Sequence, residues 1–132
     1  FDVCRRECLG LLGENGAGKT TTLDLITGRI EETDGRATVN GVPCATPADV
    51  GYCSQSDALM MKFTGRQNLL ILAVLHGYSN ASAVTDAVLQ CVGMTTDAGR
   101  MFETYSGGQR RKISVAAAML AQNSLVALDE PT

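Results

Sequence analysis

The chain has 132 residues, of which 45% are apolar and 19% are charged, and its formal net charge at pH 7 is −3. This balance is typical of a globular α/β domain and excludes a disordered chain. It also excludes the overall basic field with which proteins attract nucleic acid, and no apolar run reaches the roughly 18 residues of a membrane-spanning helix.

The N-terminal part of the chain predicts a strand, a loop and a helix in succession. The apolar run from Cys8 to Leu12 predicts a buried strand. A glycine-rich turn covers Gly13 to Gly18, and a helix is predicted from about Lys19 to Thr27, with Gly28 as its stop. This order is the structural setting that a phosphate-binding loop requires.

The loop itself reads Gly-Glu-Asn-Gly-Ala-Gly-Lys-Thr, residues 13–20, which satisfies the full pattern G-x-x-x-x-G-K-[ST]. Glycines allow successive backbone N–H groups to point at phosphate oxygens, and the following helix adds the positive end of its dipole. The motif alone does not distinguish kinases, GTPases and transport ATPases from one another. The predicted nucleotide-binding residues of this loop are Asn15, Gly16, Ala17, Gly18, Lys19, Thr20 and Thr21.

The next segment predicts two kinds of β structure. Arg36 to Val39 and Val42, joined by Asn40-Gly41, have the form of a β-hairpin with a tight turn. Val50 to Cys53 predicts a further short strand, and Gln55 follows it closely. A single glutamine after a strand does not indicate a function by itself, so the interpretation of Gln55 depends on the motifs around it.

The middle of the chain is predicted to be helical. Thr64 and Gln67 fit a capping box at the start of one helix, which Gly77 ends. A second helix is predicted from Ser82 to Val92, followed by Gly93 as a stop.

A third helix of this region begins near Ser106 and is predicted to run to about Gln122. It opens on Tyr-Ser-Gly-Gly-Gln, residues 105–109, which leaves N–H groups and a hydroxyl at a helix N-terminus and so forms a second candidate anion site. Without a ligand, the same residues would be a plain helix cap followed by a solvated basic triplet, Arg110 to Lys112.

The last predicted element is an apolar strand, Leu125 to Leu128, which ends in Asp129 and Glu130. In a doubly wound sheet, the acid after such a strand lies near the Mg²⁺ of the phosphate loop, and this is the Walker B pattern. We therefore predict that Asp129 and the Thr20 hydroxyl contact the metal. Glu130 supplies a second carboxylate that can orient and polarise an attacking water.

Together these motifs resemble those of ATP-binding cassette (ABC) ATPases, and the resemblance covers nearly the whole chain. Residues 105–109 are similar to the family's signature motif, usually Leu-Ser-Gly-Gly-Gln, with Tyr105 as the one departure. The resemblance implies that Ser106, Gly107, Gly108 and Gln109 contact the ATP held by the phosphate loop of a second such domain. The two domains would then form a head-to-tail sandwich dimer.

The segment that includes the predicted strand Val50 to Cys53 narrows the resemblance to one subfamily. Gln55 falls where ABC ATPases have their Q-loop glutamine, which senses Mg²⁺ and the γ-phosphate and couples to the membrane domain. Residues 51–59 resemble the Gly-Tyr-Cys-Pro-Gln-Phe-Asp-Ala-Leu segment of A-subfamily lipid exporters, with Ser54 in place of Pro and Ser56 in place of Phe. Residues 9–22 and 111–114 are also similar to that subfamily.

The resemblance implies an α/β P-loop NTPase fold, with a mainly parallel sheet, a small antiparallel β part and a helical subdomain. The expected division is residues 1–58 for the phosphate loop, hairpin and Q-loop, 59–105 for the helical subdomain, and 106–132 for the signature helix and the Walker B strand. The chain begins at Phe1 without an initiator Met and stops straight after a strand, so we expect it to be cut at both ends and inactive alone.

The function implied is ATP hydrolysis that powers transport, with lipid as the substrate and ATP and Mg²⁺ as cofactors. Catalytic roles are implied for Glu130, Gln55 and Lys19, and metal contacts for Thr20, Gln55 and Asp129. The implied partners are a second nucleotide-binding domain and transmembrane domains, with no nucleic acid, and the implied location is the cytoplasmic face of a membrane.

Several alternatives stay open at this point. A P-loop kinase or GTPase has no need of residues 106–109, and an ABC-type ATPase of DNA repair would insert a long coiled coil where only 85 residues lie between Thr20 and Ser106. An ABC-type translation factor remains possible, as does the ATPase of a prokaryotic-type drug or polysaccharide exporter. A cassette that binds ATP without hydrolysing it is also possible, although the presence of Glu130 favours hydrolysis.

The remaining candidate residues receive structural interpretations. His76, the one histidine, is expected at the surface. The five cysteines are odd in number and contain no C-x-x-C, which indicates neither a disulfide framework nor a zinc cluster.

Overall fold

The structure is a computed structural model that describes residues 1–43, 50–54, 59–121 and 124–130. No helix in these parts of the chain is both long and apolar enough to cross a membrane. The elements in chain order are helix α1 (Lys19–Ile26), strands β1 (Thr38–Val39), β2 (Val42–Pro43) and β3 (Val50–Cys53), helices α2 (Gly65–Leu75) and α3 (Ala81–Cys91), a 3₁₀ turn (Phe102–Thr104), helix α4 (Gly107–Leu120) and strand β4 (Leu125–Leu128).

Strands β3 and β4 form a parallel pair, in register from Val50 opposite Leu125 to Cys53 opposite Leu128. The long connection between them contains helices α2 to α4, as a parallel crossover requires. Because parallel strands end at the same edge, Asp129 follows β4 directly beside the end of β3, and its N–H donates to the Cys53 carbonyl at 3.0 Å. Both strands were predicted from the sequence, and both are confirmed.

The predicted strand from Cys8 to Leu12 is wrong. The structure has no strand there, and Leu12 is 96% exposed. A strand exists only through hydrogen bonds to a neighbour, and none of the described strands pairs with this run, since β3 pairs with β4 and β1 with β2. The run also has Gly10 at its centre and no β-branched residue, so its own preference for extended backbone is weak.

Helix α1 ends at Ile26, one residue before the predicted end at Thr27, and the predicted stop residue Gly28 closes it in a hydrogen-bonded Schellman turn. The Arg29 N–H donates to the Asp24 carbonyl at 2.9 Å and the Gly28 N–H to the Leu25 carbonyl at 3.1 Å. This turn needs the left-handed φ of +66° that Gly28 adopts without a steric penalty.

The predicted hairpin is confirmed as the antiparallel pair of β1 and β2, in which Val39 lies opposite Val42. Its two turn residues, Asn40 and Gly41, have φ of 52° and 79°. Positive φ at both positions is the geometry of a type I′ turn, which is why Asn-Gly predicts it so well.

The helical region forms the core of the described chain. The predicted capping box at α2 is present: the Thr64 hydroxyl accepts from the Gln67 N–H at 3.1 Å, and the Gln67 side-chain oxygen Oε1 accepts from the Thr64 N–H at 2.8 Å. Helix α3 starts one residue earlier than predicted, with Asn80 as its cap. The side chains buried between α2, α3, α4 and the 3₁₀ turn include Leu69, Ala73, Leu89, Met94, Phe102, Ile113, Ala116 and Leu120.

Helix α4 connects this core to the parallel strands by packing directly on β3. A Cβ added to Gly51 would lie 2.4 Å from the Ala118 carbonyl oxygen, so only glycine allows this close approach. The helix ends at Leu120, slightly before the predicted end at Gln122, which lies outside the described residues.

Candidate functional site

The glycine-rich loop before α1 turns sharply at two left-handed residues. Gly16 and Gly18 have φ of 85° and 87°, and a Cβ on either would meet no described atom within 4 Å. The need for glycine here is therefore a matter of backbone angle and not of space. Between them, the Ala17 N–H donates to the Glu14 carbonyl at 3.1 Å, which closes the turn.

The Lys19 side chain folds back across this loop. Its ammonium donates to the Gly13 carbonyl at 2.7 Å and to the Glu14 carbonyl at 2.8 Å. The charge is therefore held over the centre of the loop, at the N-terminus of α1, where an anion would also meet the positive end of the helix dipole.

The loop and strand β4 meet through one hydrogen bond between residues far apart in the chain. The Thr20 hydroxyl donates to the Asp129 carboxylate, Oγ1 to Oδ2, at 3.1 Å, and Asp129 is buried. A hydroxyl and a carboxylate are the hard oxygen ligands that Mg²⁺ prefers, and Mg²⁺ is commonly held by one or two such groups together with substrate phosphates. The donor set at this point therefore fits Mg²⁺.

Glu130 follows at the same edge and adopts a left-handed φ of 49°. Non-glycine residues in this region are uncommon, and such backbone strain clusters at functional sites. Glu130 and the loop line an open cavity of about 330 Å³. The lining residues are Asn15, Gly16, Gly18, Lys19, Thr20, Thr21 and Glu130.

The second predicted anion site, at the start of α4, is a separate surface. Ser106 caps the helix by accepting from the Gln109 N–H at 3.3 Å, and the Gln109 side chain accepts from the Ser106 N–H at 3.1 Å. Gly107 and Gly108 are exposed. Of the described residues, those of the segment 106–109 do not line the cavity at the phosphate loop. Gln55, predicted as a further site residue, lies outside the described residues.

Sequence reasoning missed how Tyr105 anchors this helix start. Its hydroxyl donates to the Asp97 carbonyl at 2.7 Å, and its ring meets the Phe102 ring edge-on at 5.8 Å between centroids. Burial raises the pKa of Tyr105 above its usual value. In the sequence, the aromatic residues at positions 102 and 105 are the feature that could have indicated that Tyr105 packs into the core.

The basic triplet after the signature segment is not uniformly solvated. Lys112 is exposed, whereas Arg110 donates to the Glu103 carbonyl at 2.8 Å and Arg111 donates to the Ser54 carbonyl. His76 lies exposed at the end of α2, as predicted.

A glycine-rich loop closed by a lysine, a helix behind it and a buried acid from a parallel strand define a P-loop nucleotide-binding domain. All of the chain, residues 1–132, matches the family described as ABC transporter, and the chain belongs to that family.

Two curated relatives make the family membership more specific. The chain is 48% identical over 130 residues to the ABC transporter ced-7 of Caenorhabditis elegans, a match that covers 98% of this chain and 8% of that protein. It is 46% identical over 133 residues to the retinal-specific phospholipid-transporting ATPase ABCA4 of Bos taurus, covering 96% of this chain and 6% of that protein. These relatives confirm the resemblance to the A subfamily, although the chain spans less than a tenth of their length.

The fold is shared with solved cassettes. All of this chain superposes on 64% of the chain in a dimeric, post-hydrolysis structure of the ATP-binding cassette MJ0796 bound to ADP and Pi, with a TM-score of 0.84 and 18% sequence identity. The predicted α/β P-loop NTPase fold is confirmed.

Proposed function

We propose that this chain binds and hydrolyses ATP as part of an A-subfamily ABC transporter that moves lipid. The main support is that the phosphate loop and Glu130 line one cavity, and that Thr20 of this loop is hydrogen-bonded to the buried Asp129. A binding loop, a metal-binding acid and a second acid at one place are the parts that nucleotide hydrolysis requires. Phospholipid is the proposed substrate class because the bovine relative is named as a phospholipid-transporting ATPase.

In this proposal the loop binds the triphosphate through backbone N–H groups around Gly16 and Gly18. Lys19 exchanges its two carbonyl partners for oxygens of the β- and γ-phosphates. Thr20 and Asp129 would hold Mg²⁺, which would supply positive charge against the phosphate oxygens.

Glu130 is the proposed general base. It lines the cavity beside the phosphate loop and follows Asp129 by one residue, so it can face the γ-phosphate while Asp129 holds the metal. Its carboxylate would align the attacking water and accept a proton from it. The family resemblance adds Gln55 as the residue that senses Mg²⁺ and the γ-phosphate.

The proposed partners follow from the separation of the two candidate anion surfaces. Residues 106–109 are not among those that line the cavity, so we expect this segment to serve nucleotide bound by another domain, as in a head-to-tail dimer. The solved cassette of the same fold is itself described as dimeric.

Transmembrane domains of the same transporter would then hold both cassettes at the cytoplasmic face of the membrane. Residues 1–58, 59–105 and 106–132 would be the nucleotide-binding, helical and signature parts of each.

The experiment that tests this function is Glu130→Gln in the full-length transporter. The substitution keeps the shape of the side chain and removes its charge, so we expect Mg·ATP binding to persist and phosphate release to fall by about 10²- to 10⁴-fold. Glu103→Gln is the control, since this exposed acid pairs with Lys62 at the surface and is not among the residues that line the cavity. Hydrolysis by Glu130→Gln at the unmutated rate would refute the assignment of the base.

A further inference from the structure

Helix α4 and strand β3 run antiparallel, and two contacts fix their register. The Ala118 carbonyl lies against Gly51, and Arg111 donates to the Ser54 carbonyl. From 111 to 118 the helix rises about 10.5 Å, and from 51 to 54 the strand rises about 10 Å. The two contacts therefore belong to one packing arrangement, in which the start of α4 lies beside the end of β3.

The Arg111 guanidinium is held tightly in this arrangement. Its Nη1 donates to the Ser54 carbonyl, whereas Nε and Nη2 are buried and find no acceptor among the residues that the structure describes. A guanidinium stays charged at any physiological pH, so burying it costs free energy unless its donors are paired. Stability alone would be served as well by an apolar side chain of similar length.

The position of Arg111 in the chain suggests what this charge does. On one side, Arg111 lies on the same helix as Ser106, five residues further on. On the other side, its partner Ser54 immediately precedes Gln55. Arg111 therefore joins the backbone that leads into the Q-loop glutamine to the helix whose start acts on the ATP of the partner domain.

We propose that Arg111 is a positioning residue for ATP hydrolysis, which holds the backbone before Gln55 in a defined place relative to the signature helix. This inference rests on the proposed function, because it assumes that Gln55 and the signature segment both act on ATP. Arg111 does not line the nucleotide cavity, so its effect is on the alignment of the reacting groups and not on the affinity for ATP.

The test compares Arg111→Met, Arg111→Lys and the control Lys112→Met in the full-length transporter. Lys112 is the neighbouring basic residue of the same helix and is exposed. For Arg111→Met we expect kcat to fall about threefold to thirtyfold, the range for residues that couple two sites, while the dissociation constant for ATP stays within about twofold. Arg111→Lys keeps one donor for the Ser54 carbonyl and should recover part of kcat, and Lys112→Met should match the unmutated protein.

Thermal unfolding separates positioning from a purely structural role. We expect the unfolding midpoint of Arg111→Met to stay near that of the unmutated protein, because the methionine keeps the apolar stem in place. The inference is overturned if kcat of Arg111→Met is unchanged, or if kcat falls only in proportion to a loss of folded protein. The unmutated protein and Glu130→Gln report on the proposed function separately. If the unmutated protein does not hydrolyse ATP, the proposed function is wrong whatever Arg111 does, and if both proteins are equally active, the assignment of Glu130 as the base is wrong.

Discussion

The Lys19 ammonium is the feature that distinguishes the predicted phosphate site from an ordinary glycine-rich turn. Its ammonium donates to the carbonyls of Gly13 and Glu14, so the charge is held over the loop. Side-chain hydrogen bonds to phosphate oxygens are charge-assisted and stronger than those to neutral carbonyls. A triphosphate can therefore replace the two carbonyls as the partner of this ammonium.

Lys19→Ala should weaken ATP binding and turnover together in the full-length protein. Loss of a charge-assisted contact is worth about 1.5–3 kcal/mol, which corresponds to about tenfold to a hundredfold in affinity. Equilibrium titration with a fluorescent ATP analogue measures it. Lys62→Ala is the control, since that ammonium is exposed and its one described ion pair is with Glu103. Unchanged affinity in Lys19→Ala would remove Lys19 from the phosphate site.

At the scale of elements, the sequence predicted the features that depend on a few neighbouring residues. The Thr64–Gln67 capping box, the Asn40-Gly41 turn and the Gly28 turn after α1 are all closed by hydrogen bonds or backbone angles within six residues. Such features are local chemistry, and residue types alone determine them.

Features that depend on distant partners could not be predicted in the same way. The run from Cys8 to Leu12 is as apolar as a buried strand, yet pairing decides whether it becomes one. The approach of Ala118 to Gly51, and the contact of Arg111 with Ser54, follow only from the packing of α4 on β3. At the candidate site, the two motifs predicted the acids and the loop, and the structure added the Thr20–Asp129 hydrogen bond that joins them.

Gly65, at the start of α2, lies in close contact with Tyr105, in the segment before α4. A Cβ on Gly65 would lie 2.4 Å from the Tyr105 hydroxyl oxygen, which donates to the Asp97 carbonyl. We expect Gly65→Ala to destabilise the protein by about 1–3 kcal/mol through overpacking, although alanine is the better helix former. Gly99→Ala is the control, because no described atom lies within 4 Å of a Cβ there.

A double-mutant cycle tests the pairing. Tyr105→Phe removes the atom that the new methyl group would strike, so Gly65→Ala should cost measurably less free energy of unfolding in the Tyr105→Phe background. Thermal unfolding of the four proteins gives the coupling. Additive effects would show that the two residues do not meet as described.

At the scale of the whole molecule, the two predicted phosphate-binding surfaces consist of different residues. The cavity at the phosphate loop holds Lys19, Thr20 and Glu130, and the exposed start of α4 presents Gly107 and Gly108 elsewhere. If the start of α4 binds phosphate as predicted, we expect that phosphate to belong to the nucleotide of a second copy of the domain. The arrangement therefore favours a reaction in which each nucleotide needs two copies of the domain.

Gly108→Asp tests this dependence. Gly108 is exposed, its φ is not left-handed, and a Cβ there would meet no described atom within 4 Å, so the domain itself should tolerate the side chain. A carboxylate at a helix N-terminus is also favourable within one domain. Against the ATP of a partner domain it is repulsive, and it would cancel donors that act on the developing negative charge, each worth about 10²- to 10³-fold in rate. We therefore expect Gly108→Asp to keep ATP binding at its own phosphate loop and to lose phosphate release, with Gly99→Asp as the exposed control that retains both. Normal hydrolysis by Gly108→Asp would exclude the sandwich, and loss of ATP binding with normal folding would mean that the signature segment acts on its own chain's nucleotide.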